Sequence, residues 1–165
     1  MATRNGVRSV VTIEGESLNA SGGANGAVAS IAARSVIARA QGTGSGQVDK
    51  VFSASTTVGT VATDYDLAGG SNVKDPASQA DQTFTKLHGI LVENKHATQT
   101  ITIGGDANSV PIFGDPSDTV TIGPGGCLLL DYGGDGYAVT AGTGDILQVV
   151  GSGLSTAYQI TIWGR

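Results

Sequence analysis

The chain has little of what usually builds a chemical site. Cys127 is its only cysteine and Trp163 its only tryptophan, with two histidines and 14% charged residues beside them. One cysteine excludes an intrachain disulfide. Next to Leu128, Leu129 and Leu130, Cys127 reads as a small buried apolar residue. His88 falls in an apolar run and His96 in a turn after Asn94-Lys95, unlike settings that make a poor metal pair. No Ser-His-Asp order and no nucleophile elbow can be assigned. Gly104-Gly105 and Gly123-Pro124-Gly125-Gly126 lack the following helix and the lysine of a phosphate loop. Aromatics, at 5%, are too few for stacking platforms. No run approaches the roughly 20 apolar residues of a membrane span. The start, Met-Ala-Thr-Arg-Asn-Gly, lacks the apolar stretch of a secretory signal. The expectation is a soluble, cytoplasmically made protein that is not an enzyme and uses no cofactor, metal or small-molecule substrate.

What the chain does have is glycine, 26 residues of it, set between β-branched runs. It shows no collagen period, and the apolar content is too high for a disordered chain. One pattern returns three times: Thr100-Ile101-Thr102-Ile103-Gly104, Thr119-Val120-Thr121-Ile122-Gly123 and Ile160-Thr161-Ile162-Trp163-Gly164. Alternation of period two puts the apolar residues on one face and the threonines on the other. Ile101, Ile103, Val120, Ile122, Ile160 and Ile162 are therefore expected in a common core, joined by Leu147 and Val149. Asp recurs beside Gly at Asp106, Asp115, Asp135 and Asp145. The spacing fits no calcium loop, and Asp bonds its own backbone in turns, so these read as turn residues.

Taken in order, residues 7–14 read as a strand and 15–26 as a Ser/Asn/Gly loop. In residues 27–40 Ala and Arg favour a helix, and Val28, Ile31, Ala32, Ser35 and Val36 lie at helical spacing. The stretch is also short and rich in β-branched residues, and either a helix or an irregular apolar arm fits. Gln41 to Gln47 is a linker by composition. After it come strands at 51–61, 83–93 (apolar on both faces at its centre), 126–131, 137–141 and 145–150, together with the three repeats. That makes about eight short strands at the spacing of sandwiches and barrels. The fold expected is all-β, a β-sandwich or jelly-roll-like barrel, with an extended N-terminal arm over residues 1–50 and the body over 51–165.

Charge divides the same way. Residues 1–50 hold five basic groups against three acids, and residues 51–165 hold four against eleven. A basic arm on an acidic body suits an acidic neighbour, an identical subunit included. The arginines are scattered without interleaved aromatics, which argues against nucleic acid. The candidate interface residues are Arg4, Arg8, Val10, Ile13, Arg34 and Arg39 in the arm. At the other end, alternation puts Trp163 on the outer face next to Arg165. Trp and Arg are enriched in interface hot spots. Trp163 is either presented outward as such a residue or folded over a neighbouring turn.

The segments Tyr65-Asp66-Leu67-Ala68-Gly69-Gly70, Gly89-Ile90-Leu91-Val92-Glu93-Asn94, Val120-Thr121-Ile122-Gly123-Pro124-Gly125-Gly126 and Tyr137-Ala138-Val139-Thr140-Ala141-Gly142-Thr143-Gly144-Asp145 together resemble small glycine-rich virion proteins of tailed phages. The resemblance covers about residues 60–165 and rests on strand-and-turn motifs with no catalytic residue among them. It implies a capsid decoration (cement) protein on the outer surface of the head, trimeric, with the major capsid protein and its own copies as partners. A tail or head–tail connector subunit is the near alternative. A carbohydrate-binding adhesive β-sandwich is the alternative from another class.

Overall fold

The computed structural model describes residues 8–18, 28–70 and 72–165, and these form eleven strands and no helix. Strands β1 (Arg8–Leu18) and β2 (Val28–Ala38) pair antiparallel, from Arg8 opposite Ala38 to Leu18 opposite Val28, and form a two-stranded sheet of their own. Residues 28–38 of the ambiguous stretch are thus neither helix nor irregular arm but a strand. Val28, Ile31, Val36 and Ile37 are β-branched and stiff at χ1. A short isolated helix is marginal in water, whereas pairing with β1 satisfies the inward-facing half of the backbone groups along the whole strand.

The body is a sandwich of two antiparallel sheets, the all-β class expected. One sheet runs β3 (Lys50–Val58), β11 (Thr156–Gly164), β5 (Lys86–Asn94), β8 (Cys127–Asp131), with the short β9 (Tyr137–Ala138) also paired to β5. The other runs β4 (Thr63–Asp66), β10 (Ile146–Gly151), β6 (Ile101–Gly104), β7 (Thr119–Ile122). Between them Ile90, Val92, Tyr158, Ile160 and Ile162 from the first sheet meet Ile101, Ile103, Leu147 and Val149 from the second, all fully buried or nearly so. Each such side chain contributes about 1.5–3 kcal/mol by leaving water. The threonines face out and pair across strands: Thr102 with Thr121 at 3.2 Å and Thr161 with Ser53 at 3.0 Å. The Thr/Ile alternation therefore sets the register as expected. Val120 departs from it, half-buried because β7 is an edge strand.

Two positions differ from the sequence reading for the same kind of reason. Cys127 is exposed, since β8 also lies on an edge and its first residue faces away from the core. Strand β5 is central as expected, between β11 on one side and β8 and β9 on the other. Across the sandwich the Tyr65 and Tyr158 hydroxyls bond at 2.6 Å in the buried interior, tying β4 to β11.

Candidate functional site

Polar chemistry gathers where the arm meets the body, on the outer face of the five-stranded sheet. The registers explain why. Strands β5 and β11 pair evenly from Tyr158–Asn94 to Trp163–Gly89, but the next pair is Gly164–Leu87. His88 is the extra residue, a β-bulge that breaks the alternation and re-aims its side chain. His88 is fully buried. Its neighbour Gly89 lies under the Trp163 indole, and a methyl group at residue 89 would run into the ring.

Trp163 does sit on the outer face, as alternation requires, but it is only 3% exposed and is not presented to a partner. It lies outside the main core cluster, as does buried Val48. The segment 39–49 crosses this face. At one end the Arg39 guanidinium pairs with Asp131 on β8 and donates to the Tyr132 carbonyl at 2.6 Å. At the other end the Asp49 N–H donates to the Gly164 carbonyl at 3.0 Å. Between these points Arg165 donates to the Thr43 carbonyl and, at 2.7 Å, to Asp135. Lys86 also lies 3.3 Å from Asp135. What composition marks as a linker is a pinned strap.

The electrostatics of this cluster are lopsided. Burial pushes the His88 imidazole below its ordinary pKa, and the neighbouring Arg39 and Arg165 push the same way. The Tyr132 carbonyl and Asp131 oppose them. That carbonyl attracts the ring without forming a hydrogen bond of normal geometry, for neither ring nitrogen has a partner among the described residues. The buried Trp163 Nε1, Arg39 Nε and Arg165 Nε are likewise without one. Lys86 first, and then Arg165, hold Asp135 below the usual carboxylate range.

The remaining candidate residues lie apart from this cluster. Arg4 falls outside the described residues. Arg8 and Ile13 lie on β1, opposite Ala38 and Ala33. Val10 is 44% exposed opposite Val36, itself 39% exposed, and Val11 on the other face of β1 is 38% exposed. Arg34 is exposed on β2. The fold thus joins Arg39, Trp163 and Arg165 and leaves Val10 and Arg34 on the ribbon. From the sequence His88 reads only as half of a poor metal pair and Asp135 only as a turn residue, and Asp131 and Lys86 are not singled out at all. The available signal was a lone glycine after histidine inside a strand, a mark of bulges and close approach.

Two other places have the makings of a site. A cleft of about 380 Å³ opens between β3 and β4, edge strands on one side of the sandwich, lined by Ser53, Thr56, Thr57, Thr63, Asn72 and Gln79 among others. Phe52 and Tyr65, rings 5.4 Å apart, also line it but are at most 5% exposed. Three of the four Asp-Gly loops use their carboxylates on their own backbone: Asp106 accepts from Asn108 at 2.7 Å, Asp115 from Ser117 at 2.9 Å and Asp145 from Gly142 at 2.6 Å, whereas Asp135 pairs with Lys86 and Arg165. His96 does the same, its Nδ1 accepting the N–H groups of Thr98 and Gln99. No family model, curated protein or solved structure matches the chain.

Proposed function

We propose that the chain is a structural protein of a tailed-phage virion, a capsid decoration protein that binds the outer surface of the head and stabilises the lattice by non-covalent contacts alone. It is assembled in the host cytoplasm, acts as a homotrimer and carries out no catalysis. The observation that carries this reading is the β1–β2 ribbon. Among the described residues its eleven-residue strands pair with no other strand and leave both outer edges unpaired, and valines are exposed on both faces. A two-stranded ribbon is at best marginally stable alone, and fixing each residue costs about 1–2 kcal/mol. Burial of Val10, Val11 and Val36 against the major capsid protein or a sister subunit, with strand addition at a free edge, offsets that cost.

Support for a carbohydrate-binding adhesive is weaker. Such a site needs exposed aromatic platforms, and the aromatic side chains at the cleft are buried. The test compares the full chain with one lacking residues 1–38 on undecorated heads, followed by imaging. The full chain should occupy fixed outer positions with three-fold symmetry. The shortened chain should fold and bind far more weakly. Equal binding would remove the ribbon from the mechanism, and a six-fold or twelve-fold ring would make the protein a tail or connector subunit instead.

A further inference from the structure

We propose that residues 39–49 form a proton-gated latch: protonation of His88 drives the Arg39 guanidinium off Asp131 and releases the strap that carries the β1–β2 ribbon. The inference is independent of what the ribbon binds.

The charged groups around His88 come from three directions. Arg39 reaches in from the strap, Arg165 from the end of β11 and Asp131 from β8. Behind Arg165 lies Asp135, shared with Lys86. Backbone closes the remaining side: a Cβ on Gly136, which has φ +80°, would stand 3.3 Å from the ring's Cε1 and Nδ1 and 2.8 Å from the Leu87 carbonyl oxygen. Three cations thus face two carboxylates, and both carboxylates are already engaged. A proton on His88 adds a fourth positive charge in a place without solvent exposure, on a ring whose nitrogens have no hydrogen-bond partner of normal geometry among the described residues and only the pull of the Tyr132 carbonyl and Asp131 to offset it. Burying an uncompensated charge is costly, so the closed arrangement excludes the proton.

Relief must come from whichever neighbour can move. Strands β5, β8 and β11 are locked into sheet ladders. The strap is held by a few side-chain contacts and isolated backbone bonds, and it contains Gly42, Gly44 and Gly46. If Arg39 leaves, one positive charge departs from beside the ring, and the negative charge of Asp131, which already favours the protonated imidazole, is no longer opposed by it.

The sign follows from linkage. The closed latch binds the proton less well than the open one, so closure is at full strength above the ordinary histidine pKa of 6.5. It weakens as pH falls through that value toward the lowered one, by about tenfold in the closed-to-open ratio per pH unit.

Trp163 is the only tryptophan and lies on the face the strap crosses, so its fluorescence reads the latch directly. The experiment follows acrylamide quenching of the full-length protein from pH 7.5 to 4.5, with far-UV circular dichroism as the check on the body. Quenching should rise several-fold below about pH 6 while the strand signal stays constant. In His88→Gln it should be independent of pH, and in Arg39→Gln high throughout. Should His88→Gln fail to fold, ring NMR of the wild type decides. The chain has two histidines, and the His88 midpoint should coincide with the rise in quenching. Flat quenching in the wild type, an unchanged pH response in His88→Gln, or titration of His88 while Trp163 stays shielded would each overturn the latch.

Discussion

Replacing Ile160 by alanine tests the register on which the sandwich rests. Ile160 is fully buried on β11, opposite Ala54 of β3 and Val92 of β5. The change deletes three carbons, and at about 0.8 kcal/mol each the lost transfer energy is about 2.4 kcal/mol. Strand β11 is laddered on both sides, so the backbone cannot move in to fill the space, and the cavity raises the cost to about 3–5 kcal/mol. Ile122→Ala is the same chemistry on edge strand β7, which is paired on one side only and can relax inward. It should cost about 2–3 kcal/mol, the low end of such changes. Thr161→Ala, one residue along β11 but on the outer face, loses only its exposed bond to Ser53 and should cost less than about 1 kcal/mol. Urea unfolding at fixed protein concentration measures all three, with a constant slope confirming that only stability has changed. A cost for Thr161→Ala equal to or above that of Ile160→Ala would refute the face assignment, because a one-residue slip exchanges the two faces.

Tyr65→Phe should cost about 1–3 kcal/mol by leaving the Tyr158 hydroxyl buried without its partner, and adding Tyr158→Phe should restore part of the loss in the same urea assay. Burial raises both phenols above the ordinary tyrosine pKa of 10.0, and the Tyr65 hydroxyl adds to the shift of Tyr158. The folded state therefore holds protons that the unfolded chain releases, so this stability is complete below the unfolded pKa and falls as pH rises through it; the double phenylalanine variant should lose that alkaline slope. Gly89→Ala should push the indole of Trp163 off β5, at a cost of about 1–3 kcal/mol and with a red shift in its emission; an unshifted spectrum would mean that the indole does not lie over residue 89. Attachment through the ribbon should weaken only in part between about 0.1 and 1 M salt, as the Debye length falls from about 10 to 3 Å. Arg34→Gln should reduce that dependence and Arg39→Gln should not, since the Arg39–Asp131 side chains are only 4% and 5% exposed and are spent within the chain.

Where one rule governed a stretch, the sequence was readable. Alternation alone placed Ile101, Ile103, Leu147, Val149, Ile160 and Ile162 in the core, because a period-two pattern has one solution once a face is buried. It failed where two rules competed. Residues 28–38 have helical spacing and β-branched composition at once, and only the long-range pairing with β1 decides between them. Cys127 and Val120 were misjudged because strand order, which sets the edges, is not a local property. Trp163 is the most instructive case. Its place on the outer face followed from alternation, but its burial depended on three things far apart in sequence: a glycine at 89, a bulge at 88 and a strap from 39 to 49 pinned at Asp131 and Gly164. The arm was likewise read as one attachment segment, yet it has two parts with opposite duties. Among the described side chains up to residue 38, Val10, Val11 and Val36 are exposed, while residues 39–49 spend Arg39 and Val48 on the body itself. A ribbon rooted in this way passes strain into β8 and β11 rather than into a loose tether, and His88 sits beside that root.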